Sequence, residues 1–458
     1  MDDLLGSVAD VLKEIWPMLL FLLVGFLAYT YDLTQETLAL IGTIFLGWIT
    51  WKVWVHYIQQ DFISGIEFVL LEIVPPRDVL RSPLAMELFI TNALFHFSYK
   101  GGKEEYWQGA VWFWFSLELV SIEGQVHFYI RTPSRIRGLI ETQMYAQYPQ
   151  AQVKVVEDYT LAVPDITPES DWNGWGCEFG LLKPEAFPLK TYIDYGLDED
   201  PKEEFKVDPI SPVIEFFGSL QKEEQAWMQI VVTPSKKMWR TNGSWFDKHN
   251  WVEESKIQIK KALDPYARHH PRRTGGTGTT IEYRTPDFLK NAVTGMSAKT
   301  SKLGFETGVR IMYVAKKEAF NMSNRRNIRL IFRQYAKPDS NELNRINSAQ
   351  GDRYSGIFTA SPKTVMMLAN RMLHEYRERA FFHLPLRHRI FSQHSWDWPI
   401  PNVFTLSGII KAYVHHKTFV LNTEELATLW HFPGQILKVP TLERIESKEA
   451  SPPPNLPI

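Results

Sequence analysis

The densest run of chemistry-bearing side chains is basic: Arg325, Arg329, Arg333 and Lys337 recur at every fourth position, with Arg326 beside the first. On a helix this spacing stacks the cations along one face, and Ile328, Ile331 and Phe332 supply the opposite, buried side. Like charges at i, i+4 repel one another. Such a stripe is therefore either a solvated face or a docking strip for nucleic-acid phosphate or an acidic protein surface. Arg131 and Arg135 form a smaller analogue upstream. FFHLPLRHRIF (381–391) mixes aromatic rings with bases, which suits base stacking or ordinary core packing.

Catalytic signatures do not assemble. A nucleotide-binding P-loop needs glycines, a lysine and a hydroxyl together, because backbone amides and an ammonium must surround the phosphates while the hydroxyl meets magnesium. GGTGTT (275–280) lacks the lysine, and YKGGKEEY (99–106) has Glu104 where the hydroxyl belongs. No GxSxG elbow, kinase set or paired Cys–His signature is present. The 13 histidines never fall at HExxH spacing, and the adjacent pairs His269–His270 and His415–His416 diverge in either helix or strand. With one cysteine, Cys177, the chain has no intrachain disulfide and no thiolate metal cluster, as in a reducing compartment. The reading is a non-enzyme that needs no cofactor or metal.

The elements that must position the basic residues begin with two apolar runs, Ile15–Tyr31 and Thr37–Trp51. Together they predict a two-helix transmembrane hairpin over residues 1–61. Trp48, Trp51, Trp54 and Tyr57 crowd one end of the second run, where rings favour the lipid–water boundary, and Lys52 can snorkel outward there. Lys13 and Lys52 lie outside the acidic turn between the runs, so both ends are expected in the cytoplasm.

Charge is uneven over the remainder. Residues 157–207 carry 13 acidic and 4 basic side chains, whereas 301–420 carry 19 basic and 8 acidic. The asymmetry points to an anionic partner for the C-terminal third, or to contact between the two regions.

An α+β fold is expected from the hydrophobic pattern. Residues 62–160 read as strand (66–74), helix (82–97), a hairpin about Glu123–Gly124, a helix from Thr132, and a last strand, AQVKVVEDY. This β-α-β-β-α-β order is ferredoxin-like. A duplicate is expected over 161–345, with strands at FPLKTYIDY, 226–234 and 305–315, helices at 208–220 and 319–337, and an insertion at 235–303. Two echoes support it: VHFYIRTPSR with WMQIVVTPSK, and ETQMYAQYP with FRQYAKP. Residues 346–458 form a helical C-terminal segment and a Pro-rich tail, with Pro338–Ser355 read as loop. Asn422 and Glu425 have capping-box spacing for a short helix. So near a terminus its Leu426, Leu429 and Trp430 are expected to be poorly covered, which makes them a docking surface.

Three stretches carry a family resemblance: GQVHFYIRTPSRIRGLIETQMYAQYPQAQVKVVEDY, DPISPVIEFFGSLQKEEQAWMQIVVTP, and the closing run from VLNTEELATLWHFPGQ to the C-terminus. They resemble the region ahead of the motor domain in bacterial type IV secretion and conjugation ATPases of the HerA/FtsK-related group. The resemblance implies a membrane-anchored, non-catalytic adaptor at the bacterial inner membrane. The sequence stops where the ATPase would start, so the partner implied is a separate, hexameric Walker-type ATPase docked through Leu426, Leu429 and Trp430. It also implies a homo-oligomer, and either DNA or protein as cargo. The rival expectation is a membrane-tethered nucleic-acid binder that uses the basic C-terminal third.

Overall fold

The computed structural model describes residues 35–76, 81–96, 101–198, 207–235, 239–240, 248–249, 251–271, 279–283, 286–348, 362–379, 381–382 and 418–434. The chain forms two compact units. One comprises residues 1–65, 98–111 and 383–415, and the other 66–97, 112–382 and 416–458.

In the first unit, α1 (Gln35–Ser64) contains the second apolar run. The run Ile15–Tyr31 lies outside the described residues. Among those described, no helix is long and apolar enough to cross a membrane, which overturns the expected hairpin. The reason is length: the apolar part, Thr37–Trp51, rises only about 22 Å against a hydrocarbon core of about 30 Å. Lys52, His56, Gln59, Gln60 and Asp61 then follow within the same helix. Trp48, Trp51, Lys52, Trp54 and Tyr57 all lie on this helix. Trp51 is partly buried and lies 5.9 Å, centroid to centroid, from Tyr106 of a short helix described below, while Trp54 and Tyr57 are exposed. Gly109 closes this unit with φ +67°; a Cβ there would stand 2.1 Å from the carbonyl oxygen of Ile58, so no other residue fits.

In the second unit, β1 (Phe68–Val74) leads into α2 (Leu84–Phe89), which continues as one wider turn over Ile90–Leu94. Past α3 (Gly102–Trp107) of the first unit come β2 (Phe115–Ile122), β3 (Gln125–Pro133), α4 (Arg137–Gln147) and β4 (Gln152–Val156). Glu123 and Gly124 both have positive φ, 52° and 85°, as a tight two-residue hairpin turn demands. The second half runs β5 (Trp172–Leu181), α5 (Ser211–Gly218) and β6 (Glu224–Pro234). Two small hairpins follow, β7 (Trp239–Arg240) with β8 (Lys248–His249) and β9 (Ala267–Pro271) with β10 (Thr279–Tyr283); α6 (Trp251–Leu263) lies between them in sequence and α7 (Asp287–Ser301) after them. Then come β11 (Gly304–Lys316), α8 (Met322–Asn327) and β12 (Leu343–Ser348). The C-terminal part supplies α9 (Pro362–Glu378), β13 (Phe419–Asn422) and α10 (Thr423–Leu429).

Each half reads strand, helix, two strands, helix, strand, and each has the same internal strand order. The first is β4-β1-β3-β2 and the second β12-β5-β11-β6. The halves join edge to edge along β2 and β6, so one antiparallel sheet runs β12-β5-β11-β6-β2-β3-β1-β4, with β13 added beside β11. The first strand of the second half is Trp172–Leu181; FPLKTYIDY is a chain of turns. The last strand, β12, occupies part of the stretch read as loop. The helix expected over 319–337 breaks into α8 and two 3-10 turns, Ile328–Leu330 and Arg333–Tyr335. Shortening the repeat toward three residues per turn keeps Ile328, Ile331, Phe332 and Tyr335 all buried.

One sheet face is apolar. Leu71, Ile130, Leu117, Ile230, Val309 and Phe179 pair in register across it, as do Ile73, Phe128, Leu119, Met228, Ile311 and Cys177. These rows belong to a single buried core that also takes in residues of α2, α4, α5 and α10.

Candidate functional site

The other face has the unusual composition. Strand pairing places Lys154, Glu72, Tyr129, Glu118, Gln229, Arg310 and Glu178 directly opposite one another from β4 to β5, one residue per strand. Period-two alternation puts all seven on the same face. Glu118, Gln229, Arg310 and Glu178, its part from β2 to β5, are buried. A buried charge is tolerated only when paired and hydrogen-bonded, so this row must be read together with its cover.

The cover is α9 with the chain at 158–166. Arg379, just past the end of α9, donates from Nε to Glu118 at 2.9 Å and from Nη2 to Glu118 at 3.1 Å, and Nη1 reaches Asp158. Its φ of 52° is left-handed, an unusual conformation for arginine that turns the chain off the helix at this residue. Glu118 also accepts from Ser116 Oγ at 2.5 Å, Gln229 Nε2 at 3.2 Å and the Tyr159 hydroxyl at 2.8 Å. Arg310 donates to Glu178 at 2.7 Å and to Gln229 at 3.3 Å, with Glu375 of α9 at 3.8 Å. Gln229 closes the loop by donating to the Tyr376 carbonyl at 3.0 Å. Thus α9 grips β2 of the first half and β11 of the second, on either side of the seam.

Packing reinforces the grip. A Cβ at Gly308 would stand 2.3 Å from the Phe381 ring, and the Arg310 guanidinium lies 4.3 Å from the same ring centroid. A Cβ at Gly176 would stand 2.7 Å from Met372 of α9. Two strand glycines therefore make room for two side chains of the cover.

The electrostatics reflect this wiring. Burial alone would lower Arg379, but the carboxylates of Glu118 and Asp158 hold it well above the usual arginine range. Burial would raise Asp158, yet Arg379 and Thr160 keep it below the usual carboxylate value. Burial, and then the adjacent Glu118, push Tyr159 far up; burial does the same for Tyr376. The hydroxyls of these two tyrosines are 2.8 Å apart. At the end of the row a hydrogen bond from His127, 2.7 Å away, holds Glu72 low.

A second charged cluster fastens α10. Glu425 completes a capping box with Asn422, accepts from Leu189 N at 2.8 Å and pairs with Lys299 at 3.1 Å, both side chains fully buried. Lys302 bridges Glu87 and Glu424, each at 2.8 Å, and Glu87 also accepts from the Tyr192 hydroxyl. Asp208 is held low, against its own burial, by His431 at 2.9 Å.

The residues singled out in sequence fall differently. Leu426, Leu429 and Trp430 are buried in the main core, Trp430 against Phe128 and Phe432, so they present no docking surface. Their cover comes from residues far upstream in sequence. Arg131 lies 3.9 Å over the Phe68 ring, and burial together with Arg379 pushes its pKa down. Arg135 is exposed above Phe113, 4.4 Å from its centroid. The stripe Arg325, Arg329, Arg333, Lys337 does not form one helical face, because the helix breaks between its members. Arg329 and Arg333 are exposed, Arg325 is partly covered, and Lys337 pairs with Asp194 at 3.1 Å and lies 3.8 Å from Asp339.

Sequence reasoning missed Glu118, Gln229, Arg310 and Arg379. The signal for the first three was a polar residue set among apolar neighbours in FSLELVSI, AWMQIVVTP and FETGVRIMYVA; Arg379 carried none. Among the described residues no group of three His, Cys, Asp or Glu could hold a metal ion. The row is chemically a fastening: its charges are spent on one another.

The family described as a domain of unknown function, DUF8128, matches residues 114–442, and the chain belongs to that family. No curated protein matches the chain.

Proposed function

We propose that the chain is a non-catalytic scaffold of a type IV secretion-like or DNA-transfer machine that holds a separate hexameric ATPase. One observation carries the scaffold half of this reading. Two β-α-β-β-α-β halves share a single sheet, and a buried charged row with one covering helix fastens both across the seam. Buried charges that are fully paired rigidify and specify a fold; a general acid or base must instead face its substrate. The ATPase as partner is what the sequence resemblance contributes. The docking face moves away from Leu426, Leu429 and Trp430, since these are interior.

The test is co-expression of the tagged full chain with a Walker-type ATPase from the same genome. Retention of the motor through purification is expected, along with no ATP turnover by the chain alone. Turnover by the isolated chain that tracks the amount of purified protein would refute the non-catalytic assignment, and loss of the motor on washing would refute the scaffold assignment.

A further inference from the structure

We propose that the exposed side of residues 322–333 is a docking surface for an acidic segment of a partner protein. The identification of that protein as the motor rests on the scaffold reading; the chemistry of the surface rests on its own residues.

From Asn321 to Ala336 the chain has four arginines and no acidic residue. Ile328, Ile331, Phe332 and Tyr335 are buried and pin the backbone to the core. Outward, Met322 and Arg326 on α8, Arg329 and Leu330 on the first 3-10 turn and Arg333 on the second are all exposed. Met322 is 56% exposed and Leu330 43%. Two large apolar side chains, Met322 just ahead of the cations and Leu330 between them, thus stand in water beside the arginines. Arginine with methionine and leucine is the composition of a protein contact.

The nearby lysines are already taken, Lys316 by Glu223 and Lys337 by Asp194. Among the described residues no ion pair reaches Arg326, Arg329 or Arg333. Among the described residues their guanidiniums meet no carboxylate, and a guanidinium fork matches carboxylate bidentately. Nucleic acid fits less well. A phosphate track would run on toward Lys337, where Asp194 and Asp339 present carboxylates instead. The occupant that matches is a helix with carboxylates at i, i+3 or i+4 and leucine between them.

The probe is a labelled helical peptide of glutamate and leucine in that pattern, titrated by anisotropy against the full chain in low salt. Arg326→Glu/Arg329→Glu/Arg333→Glu is expected to weaken binding at least about tenfold, since three exposed attractions are each replaced by repulsion. These side chains are exposed, so an unchanged melting temperature verifies the fold. A lysine-for-glutamate peptide should bind the reversed chain and not the original. Equal binding of the acidic peptide by both chains overturns the proposal. So does a DNA duplex that binds more tightly than the peptide and is lost with the same arginines. In the co-purification assay, a motor retained by the original chain and lost by the variant supports the surface. Retention by both refutes the surface and spares the scaffold reading. Retention by neither refutes the scaffold reading, and the peptide titration then decides the surface alone.

Discussion

Replacing Arg379 with methionine tests whether the charged row is what fastens α9. Methionine keeps most of the aliphatic length and removes the guanidinium, leaving the fully buried Glu118 carboxylate without its cation. Removing one partner of a buried pair costs about 3–5 kcal/mol, because the other charge remains desolvated. Here Glu118 keeps three neutral donors, from Ser116, Gln229 and Tyr159, so the cost belongs at the lower end, about 3 kcal/mol. The double change Glu118→Gln/Arg379→Met removes the stranded charge, while the introduced amide retains hydrogen-bonding capacity. It should recover more than half of the loss, since neutral replacement of a whole buried pair is often close to neutral. Urea unfolding of the original chain, of Arg379→Met, of Glu118→Gln and of the double variant, followed by near-ultraviolet dichroism, gives four midpoints, and the cycle gives the coupling. Additive losses, with the double variant as weak as the sum of the singles, would refute the claim that the pair works as a unit.

The same geometry sets two further outcomes. Gly308→Ala puts a Cβ 2.3 Å from a rigid Phe381 ring and should cost about 1–3 kcal/mol; Gly176→Ala meets Met312 Sδ and Met372 Cγ, on side chains that can shift, and should cost less, as chemical denaturation will show. Asp158 and Asp208 are held below their ordinary values, by Arg379 and His431 respectively, each against its own burial. Carboxyls lowered in the folded state contribute stability that is present above the unfolded value of about 3.9 and lost as pH falls through the folded one, so the melting temperature should drop on acidification below about pH 4. Asp158→Asn/Asp208→Asn should flatten that drop; an unchanged slope would remove both carboxyls from the acid response.

Where the pattern was local it was legible. Glu123–Gly124 marks its hairpin because its turn type needs positive φ at two adjacent residues, and Asn422 with Glu425 marks its helix start because the two reach each other's backbone. What escaped depends on partners far away in sequence. WNGWGCEFGL reads poorly as a strand because three glycines interrupt it, yet Gly174 and Gly176 are small where Ile166 and Met372 approach. The terminal position of Trp430 suggested exposure, but Phe128, some three hundred residues earlier, covers it. The apolar run Thr37–Trp51 suggested a membrane, where the chain has a helix whose apolar stretch is too short to span one. The charged row was invisible for a similar reason: each strand contributes one polar residue, and only pairing register brings them together.

The seam has a consequence for anyone dividing this protein. β2 and β6 give each other eight residue pairs, Phe115–Ile122 against Val232–Gln225. A fragment ending before β5 would present β2 as a bare ribbon edge, and its complement would present β6. Each edge is lined with amides and carbonyls seeking the partner they lost, a template for clumping with copies of itself. Mixed together, the two fragments hold matching halves of one zipper, so the line that looks most like a place to cut is the line along which the pieces would find each other again.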